Sequence, residues 1–301
     1  MPGPREHHLT GLLALDRHTA GLSPGILTVW GGSGSGKSAY ALSILRVAAD
    51  EGHPALYIGA ADLPDVFHRS VPSRVPIMAT KPPSPELAIH LAHKAIERGV
   101  RAVVLDSIPV LEPSCDARLS IGDNNFPAQR KFLYHCLRQL QSAAKMRNAL
   151  VIALNDVRAN VDGGRRPRAY LHDHMYYLSD HVIFTKRQGH KNQYGKRAET
   201  RCTATLEQLK NKSTDFTTEL MLWPGVGVKR PYEVLQYLQS TGQLRRAGIW
   251  WRDGENNLYG PGYQEAVSQI GRRARDPEYC RAIFTQIRKG TYRDQDTDHH
   301  S

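Results

Sequence analysis

Short apolar runs alternate with longer amphipathic stretches through the first half of the chain. The runs ILTVW, ALYIG, VPIM, AVVLD and ALVIALN begin at Ile26, Ala55, Val75, Ala102 and Ala149. They are apolar at consecutive rather than alternate positions, as strands buried on both faces are. Helical patterns separate them: one from Ser38, one over Pro85–Arg98, and one over Pro127–Met146, where Phe132, Leu133, Cys136, Leu137, Leu140 and Ala144 are spaced as a single face. Strand and helix in alternation predict a parallel sheet covered by helices. Further on, VIFTK, the alternating run Thr203–Leu209 and TTELML predict strands that extend that sheet.

A Pro-Gly cluster at Pro224–Gly227 interrupts the pattern and marks a domain edge. The predicted fold is α/β: an extension at 1–8, a core with a mostly parallel central sheet at 9–225, a small α+β C-terminal domain at 226–292, and a tail at 293–301 rich in Asp and His. Within the smaller domain the pattern predicts a helix over Tyr232–Ser240, a hairpin around Asp253-Gly254, and two basic helices ending near Lys289.

Charge narrows the partner. The 40 Lys and Arg exceed the 29 Asp and Glu by enough to give a net +11, which favours an anionic partner, nucleic acid ahead of a membrane surface. No run approaches the roughly 18 apolar residues of a spanning helix, and the first ten residues carry no apolar signal stretch, so a soluble, cytoplasmic, nucleoid-associated protein is expected. Cys115, Cys136, Cys202 and Cys280 are far apart and form no Cys-x-x-Cys pair, which predicts reduced structural thiols rather than a disulfide framework or zinc site. His172 and His174 bracket Asp173, but a spacing of two puts them on different sides of a helix, and no metal other than Mg²⁺ is expected.

The strongest chemical signal is Gly31-Gly32-Ser33-Gly34-Ser35-Gly36-Lys37-Ser38, which fits G-x-x-x-x-G-K-[ST] and lies between the strand ILTVW and the helix from Ser38. Such a loop turns consecutive backbone N–H groups, Ala39 included, toward a nucleotide's phosphates at a helix N-terminus. Lys37 then reaches the β and γ oxygens, and Ser38 offers its hydroxyl to Mg²⁺. Asp106 ends the buried strand AVVLD and so comes to the sheet's carboxyl edge, where it can hold the Mg²⁺ water shell. These residues predict an ATP site with Mg²⁺ at Ser38 and Asp106.

Further motifs resemble one family. AVVLDSIPVLEPS resembles the RecA segment that carries the metal-binding Asp and the following Ser, and ALVIALNDVR resembles the strand and Asn-Gln-Ile-Arg turn that opens RecA's second DNA-binding loop. LKNKSTDF resembles the RecA stretch whose two lysines reach the γ-phosphate of the neighbouring subunit, which implies that role for Lys210 and Lys212. The stretch from Trp223 to Glu255, with Gly248, Trp250 and Trp251, looks like the start of RecA's C-terminal domain, and HLTGLLALD resembles the Thr-Gly-x-x-x-x-Asp opening of its ATPase core. The resemblance runs in order from about residue 9 to 290 and extends to phage recombinases of the UvsX type.

It implies a RecA-like P-loop NTPase core and a DNA-dependent ATPase, in a short form suited to a phage or mobile element. Such a protein forms an oligomer or filament on single-stranded DNA, with ATP at each subunit interface, and pairs that strand with homologous duplex. Three departures qualify the implication. Ala61 stands where RecA has a Glu that activates the attacking water; general-base help is worth about 10²- to 10⁴-fold, so turnover is slow unless neighbouring Asp62 substitutes. Asp156 replaces the polar sensor Gln and would repel the γ-phosphate unless Mg²⁺ or a lysine lies between. Only about eight residues precede the core, which weakens the expectation of a filament.

For DNA, the segment Val157–Arg168 carries four arginines, Arg158, Arg165, Arg166 and Arg168, against one Asp, with Tyr170 close by as an aromatic face. By position it corresponds to RecA's second DNA loop; a solvated basic loop is the competing reading. IGDNNF, with Asn124 and Asn125, matches part of RecA's first DNA loop or is a polar turn before a helix. The stretch Lys186–Arg201 and Arg272, Arg273, Arg275 and Arg281 add positive charge that either guides duplex DNA or is ordinary solvated surface. Phe67 or His68, by position, either covers the base or packs. Beside the recombinase stands a second reading, a catalytically weak ATP-binding paralogue that acts as recombination mediator or scaffold; a ring-forming helicase is a weaker third.

Overall fold

The computed structural model describes residues 7–59, 77–82, 84–111, 126–158, 168–169, 172–191, 199–210, 212–223, 227–274 and 276–289. Its main sheet is built around β1 (Gly25–Gly31), every residue of which is buried. On one side of β1 lie β5 (Leu150–Arg158), β4 (Ala102–Asp106), β2 (Ala55–Gly59) and β3 (Ile77–Thr80); on the other lie β7 (His181–Lys191), β8 (Glu199–Leu209), β9 (Lys212–Trp223) and β10 (Gly227–Val228). The six strands from β3 to β7 are parallel, and β8, β9 and β10 continue the sheet antiparallel. Parallel neighbours need crossovers, here supplied by α2 (Lys37–Asp50), α3 (Pro85–Glu97), α4 (Phe126–Arg147) and α5 (His172–Leu178).

Alternation along each strand divides the apolar side chains between two faces. Ala102, Val104, Leu150, Ile152 and Leu154 join α2 residues Tyr40, Ala41 and Ile44 in one core. Val103, Leu105, Val151 and Ala153 pack on the other face with Leu133, Leu137, Leu140 and Ala144 of α4. That set of four is the true apolar stripe of α4. Phe132, placed on the same face by the sequence reading, is 48% exposed, because one residue earlier than Leu133 is a rotation of about 100° away from the sheet. Local signals set the helix starts: Ser84 accepts a hydrogen bond from the Leu87 N–H at 3.2 Å, and Pro85 occupies the first turn of α3.

Two short helices, α1 (Leu13–Thr19) and α5, lie where the sequence reading placed no element. At seven residues each they are too short to show periodicity. The large sheet runs to Val228, past the expected edge at residue 225. Beyond it come α6 (Arg230–Ser240), a three-stranded antiparallel sheet of β11 (Leu244–Ala247), β12 (Trp250–Asp253) and β13 (Leu258–Pro261), and helices α7 (Gly262–Arg273) and α8 (Pro277–Lys289). Their core, with Leu235, Trp251, Ile270 and Phe284, also takes in Leu9, Leu13 and Val47 from the N-terminal part of the chain.

Candidate nucleotide-binding site

The order of strands sets the site. The chain leaves β1 toward β2 on one side and later reaches β7 on the other, so the reversal point lies at the carboxyl end of β1, where open α/β sheets bind ligands. Gly31 ends β1 level with Asp156 of β5 and Thr185 of β7. Only glycine fits there, since a Cβ would stand 2.3 Å from the Thr185 carbonyl oxygen. The loop then turns back into α2 through Gly36, whose φ of 95° is left-handed and whose Cβ would meet Leu222 at 2.7 Å. Ser35 is buried, with its hydroxyl 2.8 Å from that of Thr185, which in turn donates to the Trp30 carbonyl at 3.2 Å. Gly32, Ser33 and Gly34 are left exposed at the rim. Ala39 packs its methyl against the core, so any contribution to a phosphate comes from its backbone.

Lys37 folds back over this loop. Its ammonium contacts the Gly31 carbonyl at 2.9 Å, the Gly32 carbonyl at 3.0 Å and the Asp156 carboxylate at 2.9 Å. An ammonium has three N–H donors, and three acceptors meet them here. The Lys37 side chain is 11% exposed while that of Asp156 is 50% exposed, so Asp156 is the partner open to exchange. Neighbouring Asn155 is fully buried, and its side-chain oxygen accepts from the Asp156 N–H at 3.0 Å.

Asp106 follows the alternation of β4 onto the α2 face, opposite Ser38. The Ser38 hydroxyl donates to Asp106 Oδ2 at 2.9 Å, and the Tyr57 hydroxyl of β2 donates to the same oxygen. Burial, followed by the Asp106 charge, pushes the Tyr57 phenol well above its ordinary pKa, so it remains a donor. A hydroxyl and a carboxylate beside Lys37 are hard oxygen donors suited to Mg²⁺, which keeps several waters and takes few protein ligands.

Tyr57, Thr185 and Arg187 are neighbours of the loop that the sequence does not place there; Arg187 counts in the sequence only as part of the basic stretch Lys186–Arg201. Arg187, on the β7 extension past Thr185, brings its guanidinium within 3.5 Å of the point where a Cβ on Gly34 would stand. Only a register could have found them: Thr185 pairs with Gly31 across β1–β7, and Gly59 pairs with Asp106 across β2–β4.

The remaining expected residues fall elsewhere. Lys210 and Lys212 are exposed at the turn joining β8 and β9, and the Lys210 N–H donates to His181 Nδ1 at 3.3 Å. His181 itself is buried and held neutral, its pKa lowered to about 4 by burial. This turn lies at the amino edge of β7, opposite the edge that carries Gly31. Arg158 and Arg168 are backbone register partners in the antiparallel pairing of β5 with β6 (Arg168–Ala169), two residues along β5 from Asp156. Ala61, Asp62, Phe67, His68, Asn124, Asn125, Arg165, Arg166 and Tyr170 lie outside the described residues. Of the basic C-terminal residues, Arg273 lies 4.8 Å over the Tyr259 ring and Arg281 is 3.5 Å from Glu278.

Residues 6–163 match the family model described as the RecA N-terminal domain. The chain is 24% identical over 296 residues to protein RecA of Aquifex pyrophilus, covering 93% of this chain and 82% of that protein. It is 24% identical over 295 residues to protein RecA of Streptococcus pneumoniae strain Hungary19A-6, covering 93% and 74% respectively. A further alignment, to protein RecA of Wolbachia sp. subsp. Drosophila simulans, is 30% identical over 158 residues and covers 50% of this chain and 44% of that one.

Proposed function

Because this chain belongs to the RecA family, we propose that it is an ATP-dependent DNA recombinase that binds single-stranded DNA as an oligomer or filament and promotes homologous pairing and strand exchange. The observation that carries the reading is the division of charged groups between the two sheet edges. Gly31–Ser38, Lys37 and Asp106 gather at the carboxyl edge, and Lys210 and Lys212 are exposed at the amino edge. One edge receives the triphosphate, and the other presents cations to the nucleotide of the next copy.

In this reading the loop N–H groups and Lys37 bind the phosphates, while Ser38 and Asp106 hold Mg²⁺, which neutralises charge on the β and γ oxygens when bound. Asp62 stands in for the water-activating Glu that Ala61 lacks. The γ-phosphate displaces Asp156 from Lys37, and Asp156 lies on the same strand as Arg158. Occupancy of the site is thereby felt at the start of the arginine segment. Arg158, Arg165, Arg166, Arg168 and Tyr170, with Asn124 and Asn125, then contact DNA phosphates and bases.

The second reading, a mediator that binds ATP without efficient turnover, draws support from the Lys37–Asp156 ion pair at 2.9 Å, a negative charge close to where the γ-phosphate belongs. ATP hydrolysis with and without single-stranded DNA, measured together with joint-molecule formation for the native chain and Lys37→Ala, separates the two. DNA-stimulated turnover and pairing, both lost in the variant, support the recombinase. Tight ATP binding with negligible turnover and no pairing selects the mediator.

A further inference from the structure

Asp106 has a second partner that the nucleotide motif does not require. Tyr57 pairs with Val104 across β2–β4, two residues before Asp106. Two residues of strand span roughly 6.6 Å, a reach that a tyrosine ring lying along the strand direction covers and that Ser, Thr or Cys at the same position does not. Alternation puts Tyr57 on the α2 face with Ala55, Ala102 and Val104, where it is fully buried in the core that also holds Tyr40 and Ile44. Packing on every side of the ring fixes where the hydroxyl ends, and it ends on Asp106 Oδ2, the same oxygen that Ser38 uses at 2.9 Å.

We propose that Tyr57 is a positioning residue for the Mg²⁺ site: its buried hydroxyl, together with Ser38, pins Asp106 Oδ2 and so fixes the carboxylate plane, leaving Oδ1 to the metal's water shell. This rests on the nucleotide reading given above. Carboxylates that serve metals depend on such partners, and losing one costs on the order of 10- to 100-fold in metal affinity. Mg²⁺ makes the dependence acute, because it demands near-ideal octahedral geometry and tolerates a rotating ligand poorly. The hydroxyl is committed to Asp106 and also interacts with Ser38, the two groups that would hold the metal, so it acts on the metal requirement.

Tyr57→Phe keeps the ring in the core and removes only the donor. The measurement is equilibrium binding of a fluorescent ATP analogue to the full-length chain while Mg²⁺ is titrated, repeated with ADP in EDTA. The Mg²⁺ concentration for half-maximal ATP-analogue binding should rise about 10-fold, the metal-free ADP affinity should stay within about 2-fold, and the thermal midpoint should move only a few degrees. Asp106→Asn with and without Tyr57→Phe supplies the control: if Tyr57 acts through the carboxylate, adding Tyr57→Phe to Asp106→Asn changes the Mg²⁺ requirement no further. An unchanged Mg²⁺ requirement in Tyr57→Phe, or additive effects in the double variant, overturns the assignment. A native chain that binds no nucleotide with or without Mg²⁺ instead refutes the function proposed above.

Discussion

Glu233 and Asp16 are two carboxylates buried in the junction between the N-terminal part of the core and α6, 3% and 0% exposed. Asp16 accepts the Thr10 N–H at 2.7 Å and the Gly11 N–H at 2.9 Å. Glu233 Oε2 accepts the Leu13 N–H at 3.2 Å, at the start of α1, and its Oε1 has no hydrogen-bond partner among the described residues. Burial raises Asp16 from 3.8 to about 7 and Glu233 from 4.5 to about 8, the second also through repulsion by Asp16, with Arg230 opposing both shifts. A folded state that holds protons the unfolded chain has released is destabilised as pH rises through the folded pKa values. Between pH 7 and 9 the unfolded chain binds neither proton. Linkage then gives a loss of about 1.4 kcal/mol from Glu233 and about 0.4 kcal/mol from Asp16, close to 2 kcal/mol in all. A chain of this size should lose roughly 4 °C in its thermal midpoint over that interval. His8 and His181, lowered by burial to about 3 and about 4, act in the opposite sense, and the stability they cost appears only as pH falls below about 6.5. Over pH 5 to about 6 the carboxylate and histidine effects nearly cancel, so calorimetry from pH 5 to 9 should show a plateau on the acid side and an alkaline limb that falls from about pH 6 upward. Glu233→Gln, which keeps an oxygen for the Leu13 N–H, should remove most of the alkaline limb. An alkaline limb equally steep in Glu233→Gln would refute the reasoning.

The remaining predictions concern the two sheet edges. Asp156→Asn should tighten ATP binding by about 3- to 10-fold, since it frees Lys37 and removes a carboxylate from the γ-phosphate's neighbourhood; weaker binding, read by calorimetric titration, would show that Asp156 helps to hold the nucleotide. A chain carrying Lys210→Ala and Lys212→Ala should hydrolyse ATP poorly, as should Lys37→Ala. An equal mixture of the two should regain activity, because roughly a quarter of head-to-tail interfaces then combine an intact loop with intact lysines. No recovery on mixing would remove the lysines from the site.

The sequence carried the phosphate loop plainly because a loop between strand and helix is a local device: Gly31, Gly36 and Lys37 are set by chain neighbours within one turn of each other. The strand runs were legible for a similar reason, since full burial on both faces leaves ILTVW and AVVLD apolar throughout. Tyr57 was hidden. Its part depends on β2 and β4 being adjacent and in a register that levels Gly59 with Asp106, and the sequence does not state which strands pair. Arg187 and Thr185 were hidden in the same way by the β1–β7 register. The ion pair between Lys37 and Asp156 joins the loop to a strand more than a hundred residues later in sequence. A carboxylate near the γ-phosphate, tolerable beside a lysine, is legible at Asp156 from the sequence; that the lysine is Lys37 is not.

The two sheet edges also decide whether the lysine pair can serve its own nucleotide. Gly31 is level with Thr185, and His181, four residues earlier on β7, is level with Leu209 at the start of the turn. Four residues of strand separate the two levels by about 13 Å, and β8 stands a further strand spacing of about 4.8 Å to the side. The phosphates lie beyond Gly31, away from the turn, so each added atom of nucleotide lengthens the gap. A lysine side chain, extended toward the opposite edge, falls short within one molecule. His181, buried and hydrogen-bonded to the Lys210 N–H, holds the turn against swinging round. If Lys210 and Lys212 touch a triphosphate at all, it is one bound by another copy, and a monomer kept dilute should bind ATP yet fail to turn it over.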